Sequence, residues 1–94
     1  LASQDGHFYA ECKNYTSTKG GYMPSAKMAT ANEAILYMSL LPEGVHRFLV
    51  FGKHMNAKGT ETVAQYYYRT YKHLLGGIRV LEIDADSRQL GEIL

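Results

Sequence analysis

Along this short chain the hydrophobic pattern switches repeatedly between strand-like and helix-like spacing, which restricts the fold more than any other feature. Residues 7–13, HFYAECK, are aromatic-rich and follow Asp5-Gly6, a hairpin-turn dipeptide. A strand is expected there, entered from a turn, with residues 1–4 as the tail of a preceding strand. Residues 14–24 gather Asn, Ser, Thr, paired Gly and Pro, and read as a loop. From Ser25, a fair N-cap, the residues Met28, Ala31, Ile35 and Met38 recur at helical spacing, until Pro42 and Gly44 stop the helix. The run HRFLVFG, residues 46–52, is almost unbroken and has the pattern of a strand covered by helices on both faces. Beyond a Lys58-Gly59 turn, Thr60 or Thr62 caps a second helix. Its stripe is Val63, Tyr67, Tyr71 and Leu74, and Gly76-Gly77 ends it. Residues 78–83, IRVLEI, form another strand, and Ser87 is expected to open a short terminal helix with Leu90, Ile93 and Leu94. This alternation predicts a layered α/β domain whose sheet is at least partly parallel.

Ninety-four residues suffice for one hydrophobic core, so residues 1–94 are read as a single domain. The longest apolar run, residues 34–41, is far shorter than the ~20 residues of a membrane span, and no secretory pattern is visible. A lone cysteine, Cys12, cannot close an internal disulfide and points to a reducing, cytoplasmic setting. The chain starts at Leu1 rather than Met, as expected of a processed product or a piece of a longer protein. Net charge is only +1. Its distribution is uneven: residues 43–79 carry six Lys or Arg against two Glu, and residues 80–94 carry one Arg against four carboxylates. A basic middle of this kind suits an anionic ligand or an ordinary solvated surface.

The strand at 7–13 carries the chemistry. Side chains alternate across a strand, so His7, Tyr9, Glu11 and Lys13 share one face while Phe8, Ala10 and Cys12 share the other. The second set is apolar and is expected to face the core. The first set ends in a carboxylate and an ammonium two residues apart. Carboxylate oxygen is a hard ligand for Mg²⁺ or Mn²⁺, and an adjacent Lys can order or deprotonate a water, or stabilise charge on a phosphate. Glu-x-Lys at a strand end therefore suits metal-assisted phosphodiester hydrolysis when a second carboxylate joins it; standing alone it is an ordinary ion pair.

The stretch DGHFYAECKNYTS, followed by a loop, a helix, an apolar strand, a helix and another strand, resembles the PD-(D/E)xK nuclease superfamily, and within it the Mrr-like restriction endonuclease domains. HRFLVFGKHMNAKGTETVAQYYY resembles the later strand, loop and helix of that family, and IRVLEIDADSRQLGEIL its closing strand and terminal helix. The likeness spans nearly the whole chain in layout, whereas its specific motif is the triplet Glu11-Cys12-Lys13. It implies a three-layer α/β/α domain with a central mixed sheet, lacking the N-terminal helix and first strand of the restriction-endonuclease-like core. It implies a Mg- or Mn-dependent endonuclease acting on nucleic acid, DNA ahead of RNA. Glu11 would ligate the metal, the main-chain carbonyl of Cys12 would complete its shell, and Lys13 would order the attacking water. The departure lies in the family's catalytic Asp. In a two-residue hairpin at Asp5-Gly6 the residue opposite Glu11 would precede Leu1. The Asp is thus expected outside this chain, which makes the chain the C-terminal part of an endonuclease-like domain. Asp5, acting through a different turn, is the other option. A symmetric dimer or a further segment would complete the site, and a non-catalytic module of the same fold, binding nucleic acid or protein, is the alternative reading.

The remaining candidates are positional. Lys19 sits in the glycine-bearing loop, Lys53 just past the second strand, and Arg69 and Lys72 beside the tyrosine run of the second helix; these four are the expected nucleic-acid contacts. Tyr67 and Tyr71 read as core; Tyr66 and Tyr68 read first as ordinary packing, with contact to a sugar-phosphate or stacking on a base as the other option. His7, His46, His54 and His73 have no metal-ligand spacing, and no P-loop or dinucleotide fingerprint is present.

Overall fold

The computed structural model describes residues 7–15, 25–56 and 58–94. Four strands and two helices follow in the order β1 (Phe8–Lys13), α1 (Ser25–Ser39), β2 (His46–Gly52), α2 (Val63–Tyr71), β3 (Arg79–Ile83) and β4 (Leu90–Ile93). The sheet is mixed and runs in the same order, β1-β2-β3-β4. The first three strands are parallel, with Glu11 opposite Leu49 and Phe51 opposite Glu82, and β4 returns antiparallel to β3. The expected small α/β domain with a partly parallel sheet is therefore present. The hairpin at Asp5-Gly6 and the loop over residues 16–24 lie outside the described residues.

Strand order decides the layering. Parallel crossovers are right-handed, and here every step moves the same way across the sheet, so successive helices land on the same face. One cluster accordingly joins Met28, Ala31, Ile35 and Met38 of α1 to Leu49 and Phe51 of β2, Val63, Ala64 and Tyr67 of α2, and Val80 of β3. Tyr67 links the helices directly: its ring packs 5.2 Å from Phe51, and its hydroxyl donates to Asn32 Oδ1 at 2.8 Å. Burial pushes the Tyr67 phenol far above its ordinary range. β2 is thus buried on one face: Leu49 and Phe51 are inaccessible, while Phe48 and Val50 stay partly exposed. The expectation that helices cover β2 on both faces does not hold among the described residues, which form two layers.

Each helix follows its sequence signals. The α1 stripe Met28, Ala31, Ile35 and Met38 is buried as the spacing predicts. Arg47 closes the helix from the next strand, donating from Nε to Met38 O at 2.7 Å and from Nη2 to Leu41 O at 2.7 Å. Met38 O, which also accepts from Leu41 N–H at 3.1 Å, and Leu41 O just past the helix are thereby tied to the start of β2. Thr62, not Thr60, caps α2 in a reciprocal capping box with Gln65. The α2 stripe departs from expectation at its end, where Leu74 is 47% exposed and Leu75 only 4%. A 3-10 turn at Lys72–Leu74 tightens the last residues and advances the buried position by one. Gly76 follows at φ 57°, a left-handed conformation that glycine takes without strain.

The terminal helix expected from Ser87 is instead strand β4, and a hairpin replaces it. Asp84 Oδ1 accepts from the N–H of Asp86 at 2.9 Å, and Asp84 O accepts from Arg88 N–H at 2.7 Å. Backbone N–H donors to its side chain, Asp86 first and Ser87 second, hold the Asp84 carboxyl below the usual carboxylate range. Beyond the turn the pattern has period two. Ile93 lies opposite Val80 and packs on the core, while Glu92 pairs with Arg79 at 2.8 Å on the other face.

One-sided burial has a measurable consequence. Leu49→Ala should lower the unfolding free energy by about 2–5 kcal/mol in urea titration. Ile83→Ala, at a residue 41% exposed on the outer face, should cost less than about 1 kcal/mol. Equal losses would mean that the outer face is buried after all.

Candidate active site

Register places the Glu-x-Lys triplet. Tyr9, Glu11 and Lys13 lie opposite Arg47, Leu49 and Phe51, so they point to the face that carries the helices. Phe8, Ala10 and Cys12 point to the uncovered face, which corrects the expectation that this apolar set builds the core. Phe8 is 42% exposed and meets Phe48 edge to face at 6.5 Å, and Cys12 is exposed. The physical reason is the one-sided crossover: with α1 and α2 on one face, the side chains beneath them form the core whatever their polarity.

Helix α1 runs above the triplet. Thr30, Glu33, Ala34 and Tyr37 recur at i, i+3, i+4 and i+7, and with Tyr9, Glu11 and Lys13 they line an open cavity of about 340 Å³. Tyr15 anchors the helix here: its hydroxyl bonds Thr30 Oγ1 and its ring packs 6.1 Å from Phe51. Within the cavity Glu11 is held from two sides. Tyr9 OH donates to Glu11 Oε2 at 3.0 Å, and Lys13 Nζ stands 3.7 Å from Glu11 Oε1. The hydrogen bond to Glu11, ahead of burial and the carboxylate's charge, holds the Tyr9 phenol above its ordinary range.

Glu33 is the residue that sequence reasoning missed. The buried stripe of α1 has a flanking stripe on either side, and only the strand order decides that the one bearing Glu33 leans toward β1. The arrangement offers two carboxylates, Glu11 and Glu33, in one cavity. Cys12, whose main-chain carbonyl is the expected further donor, does not line this cavity. His7 O accepts from His46 N–H at 2.8 Å, and parallel ladders alternate in steps of two. The main-chain groups of Cys12 therefore turn away from β2, toward the outer edge of β1. Hard oxygen donors of this kind fit Mg²⁺ or Mn²⁺, which keep several waters and need only one or two carboxylates. Among the described residues no group of three or more His, Cys, Asp or Glu could hold a metal ion.

The expected nucleic-acid contacts are spread out. Lys53 shares a cavity with Lys13 and Cys12, just past β2. Arg69 makes a two-pronged pair with Glu61, at 2.8 and 3.3 Å, and lies over the Tyr66 ring. Lys72 opens the 3-10 turn, and neither it nor Arg69 lines the Glu11 cavity. Lys19 and Asp5 lie outside the described residues. Of the six cations in the basic middle, the three arginines are engaged internally: Arg47 on α1, Arg69 with Glu61 and Arg79 with Glu92. No helix among the described residues is long and apolar enough to cross a membrane.

No family profile, curated protein or solved structure matches this chain. The cavity's own chemistry is what bears on function.

Replacing Glu11 by Gln should lower the Tyr9 titration midpoint toward that of a free phenol, because the carboxylate that disfavours the phenolate is gone. Ultraviolet titration against a Tyr9→Phe control reads this; an unmoved midpoint would place the carboxylate away from Tyr9.

Proposed function

We propose that this chain carries the metal-binding half of an endonuclease site of the PD-(D/E)xK type, hydrolysing phosphodiester bonds in nucleic acid, DNA ahead of RNA. The observation that supports it is the joint lining of one open cavity by Glu11, Lys13 and Glu33. A Mg²⁺ or Mn²⁺ ion bound there would polarise a phosphate and lower the pKa of a bound water. Glu11 and Glu33 would supply hard anionic oxygens, and the Cys12 carbonyl is the further ligand this reading requires. Lys13, 3.7 Å from Glu11, is held where an ammonium can orient a water or stabilise charge on a phosphate oxygen. Tyr9 fixes the Glu11 carboxylate from its other oxygen, so the group is oriented before a ligand arrives.

On this reading the catalytic Asp comes from sequence outside the chain. The third layer of a restriction-endonuclease-like core, also from outside, packs on the uncovered sheet face around Phe8 and Phe48, short of the strands' carboxyl ends. A non-catalytic module of the same fold is the competing reading, favoured by the want of a third acidic ligand among the described residues.

The test uses this chain and the full product of its reading frame, with Mn²⁺ or Mg²⁺ and plasmid or oligonucleotide substrate. Mn²⁺ should raise the Tm of the chain, and Glu11→Gln and Glu33→Gln should each abolish the rise. In the full product Lys13→Ala should reduce cleavage by about 10²–10⁴-fold. Cleavage untouched by Lys13→Ala, or a Tm indifferent to metal, would overturn the proposal.

A further inference from the structure

The three parallel strands end together, and a second cavity opens at their carboxyl ends. Its volume is about 440 Å³, larger than the Glu11 cavity, and its lining differs in kind. Val50, Ile83 and Ala85 give it apolar walls. Lys13, Lys53, Asn14 and His54 supply its polar groups, and no carboxylate lines it. Lys13 belongs to both cavities, so a ligand held here lies beside Glu11.

The polar rim is preorganised. Asn14 Oδ1 accepts from His54 Nε2 at 2.8 Å, which leaves the Asn14 amide hydrogens available as donors. This pose requires a glycine beneath it, since a Cβ on Gly52 would stand 2.3 Å from Asn14 Oδ1. Lys53 is anchored through its backbone, donating N–H to Ile83 O at 2.8 Å, so its side chain starts from a fixed point at the rim.

Apolar walls, an amide edge and two ammonium groups, of which Lys13 is shared with Glu11 at 3.7 Å, match a flat heteroaromatic base carrying a phosphate. The volume falls within the ~300–1,000 Å³ typical of sites for such ligands. A base still paired and stacked in a duplex cannot enter a recess at the end of a strand; an unpaired or extruded one can. We infer that this cavity receives an unpaired nucleotide of a nucleic-acid strand, its base against Val50, Ile83 and Ala85 and its phosphate between Lys53 and Lys13. The inference builds on the nuclease reading and gives its substrate class, single-stranded or locally unpaired nucleic acid, with the neighbouring phosphodiester beside Glu11.

The experiment measures binding without cleavage: fluorescence anisotropy of a labelled oligothymidylate of about 15 nucleotides and of the corresponding duplex, in EDTA. The single strand should bind at least about tenfold tighter than the duplex. Ala85→Trp, which fills the cavity from an exposed position, and Lys53→Glu should each weaken that binding by about tenfold or more. Gly52→Ala, which displaces the flexible Asn14 amide, should weaken it measurably with little change in Tm. Glu11→Gln, which frees Lys13 from a carboxylate 3.7 Å away, should not weaken this binding although it removes a metal ligand. Equal affinity for duplex, or wild-type affinity in both Ala85→Trp and Lys53→Glu, would overturn the inference. So would thymidine monophosphate binding as tightly as the oligonucleotide, which would assign the cavity to a free nucleotide. Because no metal is present, a failed cleavage assay with cavity-dependent binding intact counts only against the nuclease reading. Metal-dependent cleavage without cavity-dependent binding counts only against this inference.

Discussion

Three parallel strands laid down in chain order, each crossover of the same hand, put both helices on one side of the sheet. The rest of the structure depends on this constraint. It places Leu49 and Phe51 in the core and leaves Phe48 and Val50 half open. It also brings α1 over Tyr9, Glu11 and Lys13, turning a strand face with a carboxylate and an ammonium into the floor of a cavity. A reversal of strand order among β1, β2 and β3 would have split the helices between two faces.

The cations illustrate how packing redistributes charge. Arg47 bonds main-chain carbonyls at and just beyond the end of α1, and Arg69 and Arg79 each close a two-pronged pair with a glutamate. Arg79 also lies 5.4 Å from the centre of the Phe48 ring, covering part of the outer face. A basic stretch read from sequence is therefore not a basic surface of the same strength. What faces the carboxyl ends of the strands is a smaller set, Lys13 and Lys53 with His54, and it is local enough to contact one or two phosphates.

Much of the local architecture was legible. The helical spacing of Met28, Ala31, Ile35 and Met38, the Thr62 cap and the apolar run at 46–52 each produced the element they predict, because each signal is carried by residues near one another in sequence. The failures share a cause. Leu90, Glu92 and Ile93 fit a short helix or a short strand equally well. Pairing with β3 and the Asp84 turn, both contacts across the chain, decided for the strand. Leu74 lost its buried place to Leu75 through a tightening of the helix end that periodicity does not record. Glu33 went unread because its importance lies in nearness to Glu11, twenty-two positions away.

By itself the sequence determined the elements from β1 to β3, their order and the Glu11-Cys12-Lys13 triplet on one strand, since alternation and helical spacing are properties of a few consecutive residues. Which face of β1 is covered, which carboxylate joins Glu11, and which cations remain at the strand ends were decided only by the tertiary structure. A strand has two faces that local pattern treats alike when both are partly apolar. Only the positions of α1 and α2 distinguish them, and those follow from strand order across the whole sheet.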